Sequence, residues 1–354
     1  MSRRPRSAPP TRPLLALSRL AALLVALVVA MAACTSGAAA PSASAVPSAA
    51  ATPASTLAPT SSPTATPAFP TSLTDDEGTA VELATEPRKI VSLTPATTEI
   101  LFAIGAGDRL VATDDGSDYP ADAVPLPDVA TFGSVDVEQI VSLDADLVLA
   151  GGLGFTPAES ISQLRSLGIP VVVVYAPSID GVYKDIELIG AAVGRSSEAV
   201  SLTDRMKDEI GVIADAASAA AAASGSKPRV FYDVGYIDQT GQIYGPAEGS
   251  FLAEMVGLLG VDVVTADPVT YEIPLETLIE RDPEVIILGV NAFYAPTPEI
   301  IAKRNGWSAL TAVKNGDVRS VQDTEITRPG PRLAVGLRNL ALAMYPDLDL
   351  PPAP

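Results

Sequence analysis

The sequence predicts an α/β protein of two similar lobes, each a central, mostly parallel sheet flanked by helices, joined by one long backbone helix. Short strands that are apolar on both faces alternate with helical segments, as in parallel sheets covered by helices. The stretch VEQIVSLDADLVLAGG, residues 137–152, is matched by LETLIERDPEVIILGV, residues 275–290, which predicts two lobes. Between the copies, residues 196–224 contain no proline and one glycine, which favours a long helix.

The first 33 residues have the pattern of an export signal. They carry five arginines and no acidic residue. Their apolar run, LAALLVALVVAMAA, is shorter than the roughly 20 residues of a membrane span. Met31-Ala32-Ala33-Cys34 resembles the lipobox of bacterial lipoproteins, and Cys34 is the only cysteine. We therefore expect a lipoprotein signal peptide at 1–33 and a lipid on Cys34. An ordinary signal peptide is the alternative, and the general and twin-arginine export routes stay open.

Residues 34–79 are predicted to be a linker. From Thr35 to Thr74 the chain is almost wholly Ala, Pro, Ser and Thr without a charge, a composition that cannot bury a core. A disordered segment of this length reaches on the order of 35 Å. Lipid and linker would thus hold a folded body at the outer face of the cell membrane.

Residues 80–195 are predicted to form the N-terminal lobe. Strands are expected at 89–93, 110–113, near 129, 147–150 and 171–174. Helices are expected after Pro95, at 137–143 and at 161–167. Asp136 can cap the second of these helices, with Gln139 at the third helical position as in a capping box.

Residues 196–226 are predicted to be the connecting helix, about 40 Å long at 1.5 Å per residue, and 227–350 the C-terminal lobe. In that lobe strands are expected at 229–234, 261–266, 284–290 and 317–321, and helices at 250–260, 274–282, near 300 and at 331–344. The order of elements is the same on both sides of the long helix. The second lobe is therefore expected to repeat the plan of the first.

The composition excludes several kinds of function. A formal net charge of −19 disfavours nucleic-acid binding, because an acidic chain repels phosphates. The chain has no histidine, so a Ser-His-Asp triad is impossible, and no Walker loop or G-x-S-x-G elbow occurs. A two-carboxylate hydrolase stays open by residue type alone. We expect neither enzymatic activity nor a resident cofactor or metal.

Aromatic residues concentrate in the loops that follow the predicted strands. In open α/β sheets ligands bind beyond the carboxyl ends of the strands, so these loops are expected to line a cleft between the lobes. The candidate ligand-binding residues are Tyr119, Phe132, Phe155, Tyr236, Tyr244, Tyr271, Phe293 and Arg328.

The stretch KIVSLTPATTEILFAIGAGDRLVATDDGSDYP, followed by VEQIVSLDADLVLAGG, resembles the substrate-binding proteins of ABC importers for cobalamin, haem and ferric siderophores. The similarity runs from about Arg88 to Leu348, and Asp118-Tyr119-Pro120 with Arg328-Pro329-Gly330-Pro331-Arg332 look most like the cobalamin-binding members. The resemblance implies a monomeric receptor that captures a corrinoid between its lobes. Its partner would be an ABC permease dimer with its ATPase.

Glu138 and Glu276 match, in this resemblance, the two surface glutamates that dock onto arginines of the permease. Each lies in the first turn of a predicted helix, where the helix dipole also favours a carboxylate by about 0.3–1 kcal/mol. One glutamate at the same place in each lobe could meet a pseudo-symmetric dimer.

The sequence indicates the ligand less clearly than it indicates the family. Cobalamin-binding members tend to have several tryptophans around the corrin, whereas here Phe132, Gly151 and a residue near Tyr271 stand there, and Trp307 lies elsewhere. Histidine-ligated haem is impossible, although a tyrosine could hold haem iron. Anionic ferric siderophores would require several basic side chains in the cleft, and only Arg328 is well placed. A neutral corrinoid ranks first; a siderophore or haem receptor, or a ligand-sensing lipoprotein without a transporter, are the alternatives.

Overall fold

The computed structural model describes residues 69–152, 154–292 and 294–352. The predicted signal peptide, Cys34, most of the predicted linker and Phe293 therefore lie outside the described residues.

An antiparallel hairpin opens the described chain, with β1 (Thr71–Thr74) paired to β2 (Ala80–Leu83). Its turn is held by the buried Asp75, whose carboxylate accepts the backbone N–H of Thr79 at 2.8 Å and pairs with Arg165 at 2.7 Å. The prediction of a linker up to residue 79 is therefore wrong at that end. The strand β1 consists of uncharged Thr, Ser and Leu, so its composition does not differ from that of the predicted linker before it.

The N-terminal lobe contains a six-stranded sheet in the order β6-β5-β4-β3-β7-β8, parallel except for β6. Its strands are β3 (Ile90–Ser92), β4 (Leu110–Asp114), β5 (Asp128–Thr131), β6 (Ser134–Val135), β7 (Leu147–Gly151) and β8 (Val171–Val174). Its helices are α1 (Pro95–Ala103), α2 (Val137–Ser142), α3 (Ala158–Ser166) and α4 (Ile179–Ala192). Asp136 caps α2 as predicted, accepting the N–H of Gln139 at 2.9 Å. The helix α4 was not predicted.

Alternate side chains of these strands enter two different core clusters. Leu147 and Leu149 belong to one cluster, and Val148 and Ala150 to the other. Because successive residues of a strand point to opposite faces, helices must cover both faces of the sheet. The apolar strands of the sequence predict this arrangement.

The predicted long helix is present as α5 (Ser196–Ser224), 29 residues in length. It ends at Gly225, whose left-handed backbone (φ 75°) suits glycine. Among the described residues no helix has both the length and the apolar character that crossing a membrane requires.

The C-terminal lobe contains a four-stranded parallel sheet in the order β12-β9-β13-β14 and a separate hairpin, β10-β11. Its strands are β9 (Arg229–Asp233), β10 (Gly235–Ile237), β11 (Gln242–Tyr244), β12 (Asp262–Val263), β13 (Val285–Val290) and β14 (Val318–Gln322). Its helices are α6 (Phe251–Gly257), α7 (Leu275–Arg281), α8 (Pro298–Ile301), α9 (Thr311–Asn315), α10 (Thr324–Thr327) and α11 (Leu333–Met344).

The predicted duplication is present in the topology, since β4-β3-β7-β8 and β12-β9-β13-β14 are ordered alike. It extends to the backbone: Asp144 after α2 and Asp282 after α7 both have left-handed conformations, with φ of 53° and 42°. A carboxylate two residues further on, from Asp146 or Glu284, accepts a backbone N–H at the start of the lobe's first central strand. The two lobes therefore repeat one plan in detail.

One hydrophobic cluster runs through both lobes. It includes Ile100 and Leu149 of the N-terminal lobe, Ile213 of α5, and Leu252 and Leu337 of the C-terminal lobe. Because this core is shared, the lobes are joined by packing as well as by the chain.

Candidate functional site

A cleft of about 720 Å³ lies between the two lobes, within the usual range of roughly 300–1,000 Å³ for ligand sites. Its N-terminal wall includes Gly151 and Val174, the last residues of β7 and β8, and its C-terminal wall includes Val234, which follows β9. The cleft thus lies at the carboxyl ends of the strands, where the sequence predicts it.

The wall of the cleft is mainly apolar and aromatic. Phe155 and Tyr175 come from the N-terminal lobe, and Tyr244, Phe251 and Tyr271 come from the C-terminal lobe. Rings from both sides suit a ligand with broad apolar faces, because aromatic side chains bury large areas in defined geometries.

Four of the predicted ligand-binding residues line this cleft: Phe155, Tyr244, Tyr271 and Arg328. Phe132, in the turn between β5 and β6, does not line it and is 88% exposed. Tyr119 is not part of the wall either, and its ring lies 4.3 Å from the Arg332 guanidinium.

Tyr236 is the third predicted residue that the structure places away from the cleft. Its ring meets Trp307 edge-on at 6.3 Å, and the guanidinium of Arg304 lies over it at 4.0 Å. Arg304 in turn donates to the fully buried carboxylate of Asp233 at 2.8 Å. Tyr236 is therefore part of the packing of the C-terminal lobe.

Three prominent wall residues are absent from the predicted set: Tyr175, Asp185 and Phe251. Tyr175 directly follows β8, so the rule that ligands bind at the carboxyl ends of strands could have found it. Asp185 lies in the unpredicted α4, and Phe251 begins a helix, so neither stands in a loop after a strand.

Tyr271 is held in an uncommon backbone conformation, with a positive φ of 59°. The Asp267 carboxylate accepts the N–H groups of Val269 and Thr270, both at 2.8 Å, and the N–H of Tyr271 donates to the Asp267 carbonyl at 3.0 Å. The turn therefore fixes the backbone that presents this ring. Burial raises the pKa of Tyr175, and the nearby Tyr271 phenol raises it further, so the two phenols are neighbours across the cleft.

The charge of Arg328 is neutralised by the opposite lobe. Its Nη1 donates to Glu99 Oε1 at 3.1 Å and to Asp118 Oδ1 at 2.6 Å. Arg332 holds the same buried Glu99 through two bonds, at 2.6 and 2.9 Å. We call Glu99, Asp118, Arg328 and Arg332 the inter-lobe ion cluster. It joins the lobes and leaves the cleft without an uncompensated cation from Arg328.

Asp185 is the acidic residue of the cleft wall, and its side chain is buried. Burial and the neighbouring Asp76 raise the pKa of Asp185 to about 9, so this carboxyl is protonated and uncharged at neutral pH. Among the described residues no group of three or more acidic side chains is placed to hold a metal ion.

The two predicted docking residues lie outside the cleft. Glu138 on α2 and Glu276 on α7 are both exposed, and within the described ranges neither carboxylate has an ion-pair partner. A basic residue at the start of the first central strand holds the carboxyl end of each helix. Lys89 Nζ donates to the Leu143 carbonyl at 3.3 Å, and Arg229 Nε donates to the Arg281 carbonyl at 2.9 Å.

Comparison with known proteins agrees with this architecture. The periplasmic binding protein family matches residues 90–324. The chain is 34% identical over 287 residues to the uncharacterized ABC transporter substrate-binding lipoprotein YvrC of Bacillus subtilis, covering 80% of this chain and 88% of that protein. It is 30% identical over 291 residues to a cobalamin-binding protein of Halobacterium salinarum, covering 78% of this chain and 75% of the other.

A solved structure shares the fold. The structure of a possible iron-binding (periplasmic solute-binding) protein from Staphylococcus epidermidis aligns with a TM-score of 0.61 and 27% identity, covering 74% of this chain and all of that one. The family match spans most of both lobes, and both relatives are binding proteins, one of them the substrate-binding protein of an ABC transporter. The chain therefore belongs to the periplasmic binding protein family and is a substrate-binding protein of the kind that serves ABC importers, not an enzyme.

Proposed function

We propose that this protein is a lipid-anchored receptor at the outer face of the cell membrane, which captures a corrinoid in the inter-lobe cleft. It then delivers the corrinoid to an ABC permease dimer that works with an ATPase. Cys34 carries the lipid, and the receptor acts as a monomer. Glu138 and Glu276 dock onto basic side chains of the permease.

The observation that carries the corrinoid assignment is the low charge of an aromatic cleft. Arg328 is paired with Glu99 and Asp118, and Asp185 is protonated at neutral pH because its pKa is raised to about 9. Burying a charged ligand group without a partner is costly. A large, neutral chelate with apolar ring faces fits this wall better than an anionic ferric siderophore or the two carboxylates of haem. The cobalamin-binding relative supports the same choice.

The docking assignment is supported by the two equivalent helices α2 and α7, which we call the outer helices. Glu138 and Glu276 occupy equivalent positions 138 residues apart, both are exposed, and both stand on helices that are tied to their sheets in the same way. Two equivalent acids suit a partner with two equivalent basic sites, as a dimer with two-fold symmetry has.

Calorimetry and visible spectroscopy with cyanocobalamin, haemin and a ferric trihydroxamate test the ligand assignment. We expect saturable one-to-one binding of cyanocobalamin that is at least about tenfold tighter than binding of the other two. Stronger binding of haemin or the ferric chelate would replace the corrinoid with that ligand. Absence of binding to all three would overturn the proposal.

A pair of phenylalanine variants locates the binding site. Phe155→Ala removes a ring from the cleft wall and should weaken cyanocobalamin binding by about tenfold. Phe132→Ala removes an exposed ring outside the cleft and should leave the affinity unchanged. Equal losses from both variants would contradict the assignment of the cleft.

A further inference from the structure

The two helices that carry Glu138 and Glu276 share a second exposed feature. Three residues after each glutamate stands a β-branched apolar residue, Val141 on α2 and Ile279 on α7. Val141 is 42% exposed and Ile279 is 37% exposed. The equivalent positions of the two lobes thus expose the same chemistry twice.

Neither apolar side chain belongs to the hydrophobic core. In the part of the chain that the structure describes, Val141 and Ile279 are absent from the core clusters and from the residues packed against them. β-Branched residues also form helices less readily than alanine, so they do not serve these short helices. Exposed apolar residues are common when they stand singly, but an apolar residue repeated beside an equivalent acid in each lobe suits a surface that a partner covers.

The neighbouring exposed position is not repeated in this way. Ser142 follows Val141, whereas Glu280 follows Ile279, and both of these residues are exposed. Of the exposed positions within the two helices, the glutamate and the apolar residue are therefore the ones whose chemistry agrees between the lobes. A partner that presents the same surface to each lobe accounts for the shared glutamate and apolar residue.

The geometry places the acidic and the apolar side chain of each lobe together. Residues three apart on a helix are neighbours on one side of it, so Glu138 lies beside Val141 and Glu276 beside Ile279. Lys89 and Arg229 hold the two helices to their sheets at equivalent points. Each lobe therefore presents one acidic–apolar pair in the same local setting.

We propose that Val141 and Ile279 are docking residues that contact the permease beside the two glutamates. The complementary surface is a basic side chain next to an apolar one, present once in each half of the permease dimer. This inference rests on the proposed docking role of the glutamates. It adds a contact that is desolvated on docking, whereas exposed ion pairs by themselves contribute little affinity.

Site-specific photo-crosslinking in the native host tests the inference. A photoreactive phenylalanine is placed singly at positions 138, 141, 276 and 279 of the full-length lipoprotein, and at Val212 as a control. Val212 on α5 is 48% exposed and lies on neither outer helix. We expect positions 141 and 279 to form adducts with one and the same permease polypeptide, identified by mass spectrometry, and position 212 to form none.

The failures of the two proposals are distinguishable. Adducts from 138 and 276 without adducts from 141 and 279 would overturn the role of Val141 and Ile279 and leave glutamate docking intact. No permease adduct from any of the four positions would overturn both.

A second measurement uses charge at the apolar positions. In a protein with the crosslinker at 276, the double substitution Val141→Asp and Ile279→Asp should lower the adduct yield by at least about tenfold. Val212→Asp is the matched control and should not change it, and thermal melts check that each variant is folded. An unchanged yield in the double variant would overturn the inference.

Discussion

The two lobes carry similar residues on the outer helices but different residues along the cleft. Outside, α2 and α7 carry the same exposed glutamate, the same kind of apolar neighbour and the same left-handed aspartate. Along the cleft, the N-terminal lobe contributes the start of α1 and the protonated Asp185, whereas the C-terminal lobe contributes the β10-β11 hairpin and the turn that holds Tyr271.

The proposed docking accounts for this division. In the proposed complex a dimeric permease presents two equivalent surfaces, so the residues that face it can stay alike in both lobes. A small asymmetric ligand presents different groups to each wall, so the cleft residues must diverge. Under these proposals, similarity between the lobes marks the surface for the protein partner, and divergence marks the wall for the ligand.

The largest expected effect concerns a buried ion pair of the C-terminal lobe. Arg304 and Asp233 are 5% and 0% exposed. Arg304→Met leaves the buried Asp233 carboxylate with the Tyr294 hydroxyl at 2.8 Å but without a counter-charge, and should lower the free energy of unfolding by about 3–5 kcal/mol. The corresponding N-terminal test is Arg165→Met. Its partner Asp75 keeps bonds from the N–H groups of Thr79 and Val173, so we expect a loss of about 1–2 kcal/mol.

Urea denaturation of both variants measures these losses. Equal losses would contradict the distinction between the two pairs, which is drawn from the backbone hydrogen bonds that Asp75 keeps.

A smaller effect is expected at the contact between the lobes. Arg332→Met removes two charge-assisted hydrogen bonds from the buried Glu99 and should cost about 2–3 kcal/mol. Arg332→Lys should recover little, because an ammonium cannot reproduce the bidentate geometry. Thermal or urea unfolding measures the change. The control is Arg195→Met, which breaks a more exposed pair with Glu198 and should cost less than about 0.5 kcal/mol.

A pH-dependent effect compares how each lobe removes charge from the cleft. The C-terminal Arg328 is paired, whereas the N-terminal Asp185 keeps a proton because its pKa is raised to about 9. The unfolded chain releases that proton above about pH 4, so this residue costs increasing stability as the pH rises from about 4 to about 9.

Asp185→Asn has no proton to lose and should become more stable relative to the parent as the pH rises. Urea unfolding of both proteins at pH 5, 6.5 and 8 measures the trend. A difference that does not grow with pH would show that Asp185 is ionised in the folded protein.

The fold could be predicted from the sequence because its signals are local. The apolar strand LVLA and the unbroken stretch 196–224 identify a buried strand and a long helix by their own composition. The missed helix α4 also has a local signal, since Ile179, Val182 and Ile186 follow helical spacing. The error at the N-terminal hairpin arose because uncharged Thr and Ser are common to linkers and to strands.

The site was only partly predictable because its main features join distant residues. Glu99 and Arg332 are 233 positions apart, and nothing near either residue identifies the other. The same holds for Asp185, whose protonation depends on burial and on Asp76 from the N-terminal hairpin. Tyr236 was misplaced because the segment after β9 was predicted to be a loop, whereas it forms β10 and the Tyr236 ring packs against Trp307.

Cobalamin uptake by cells that produce the Glu138→Arg/Glu276→Arg double variant, with the cobalamin affinity of the purified variant measured alongside, tests the separation of docking from ligand binding. Both residues are exposed and lie outside the cleft, so the affinity should stay within about twofold of the parent. Uptake should fall by at least about tenfold, since each substituted position then presents a positive charge to its basic partner. Unchanged uptake, or a loss of affinity that accounts for reduced uptake, would contradict the assignment of the duplicated outer helices to the permease.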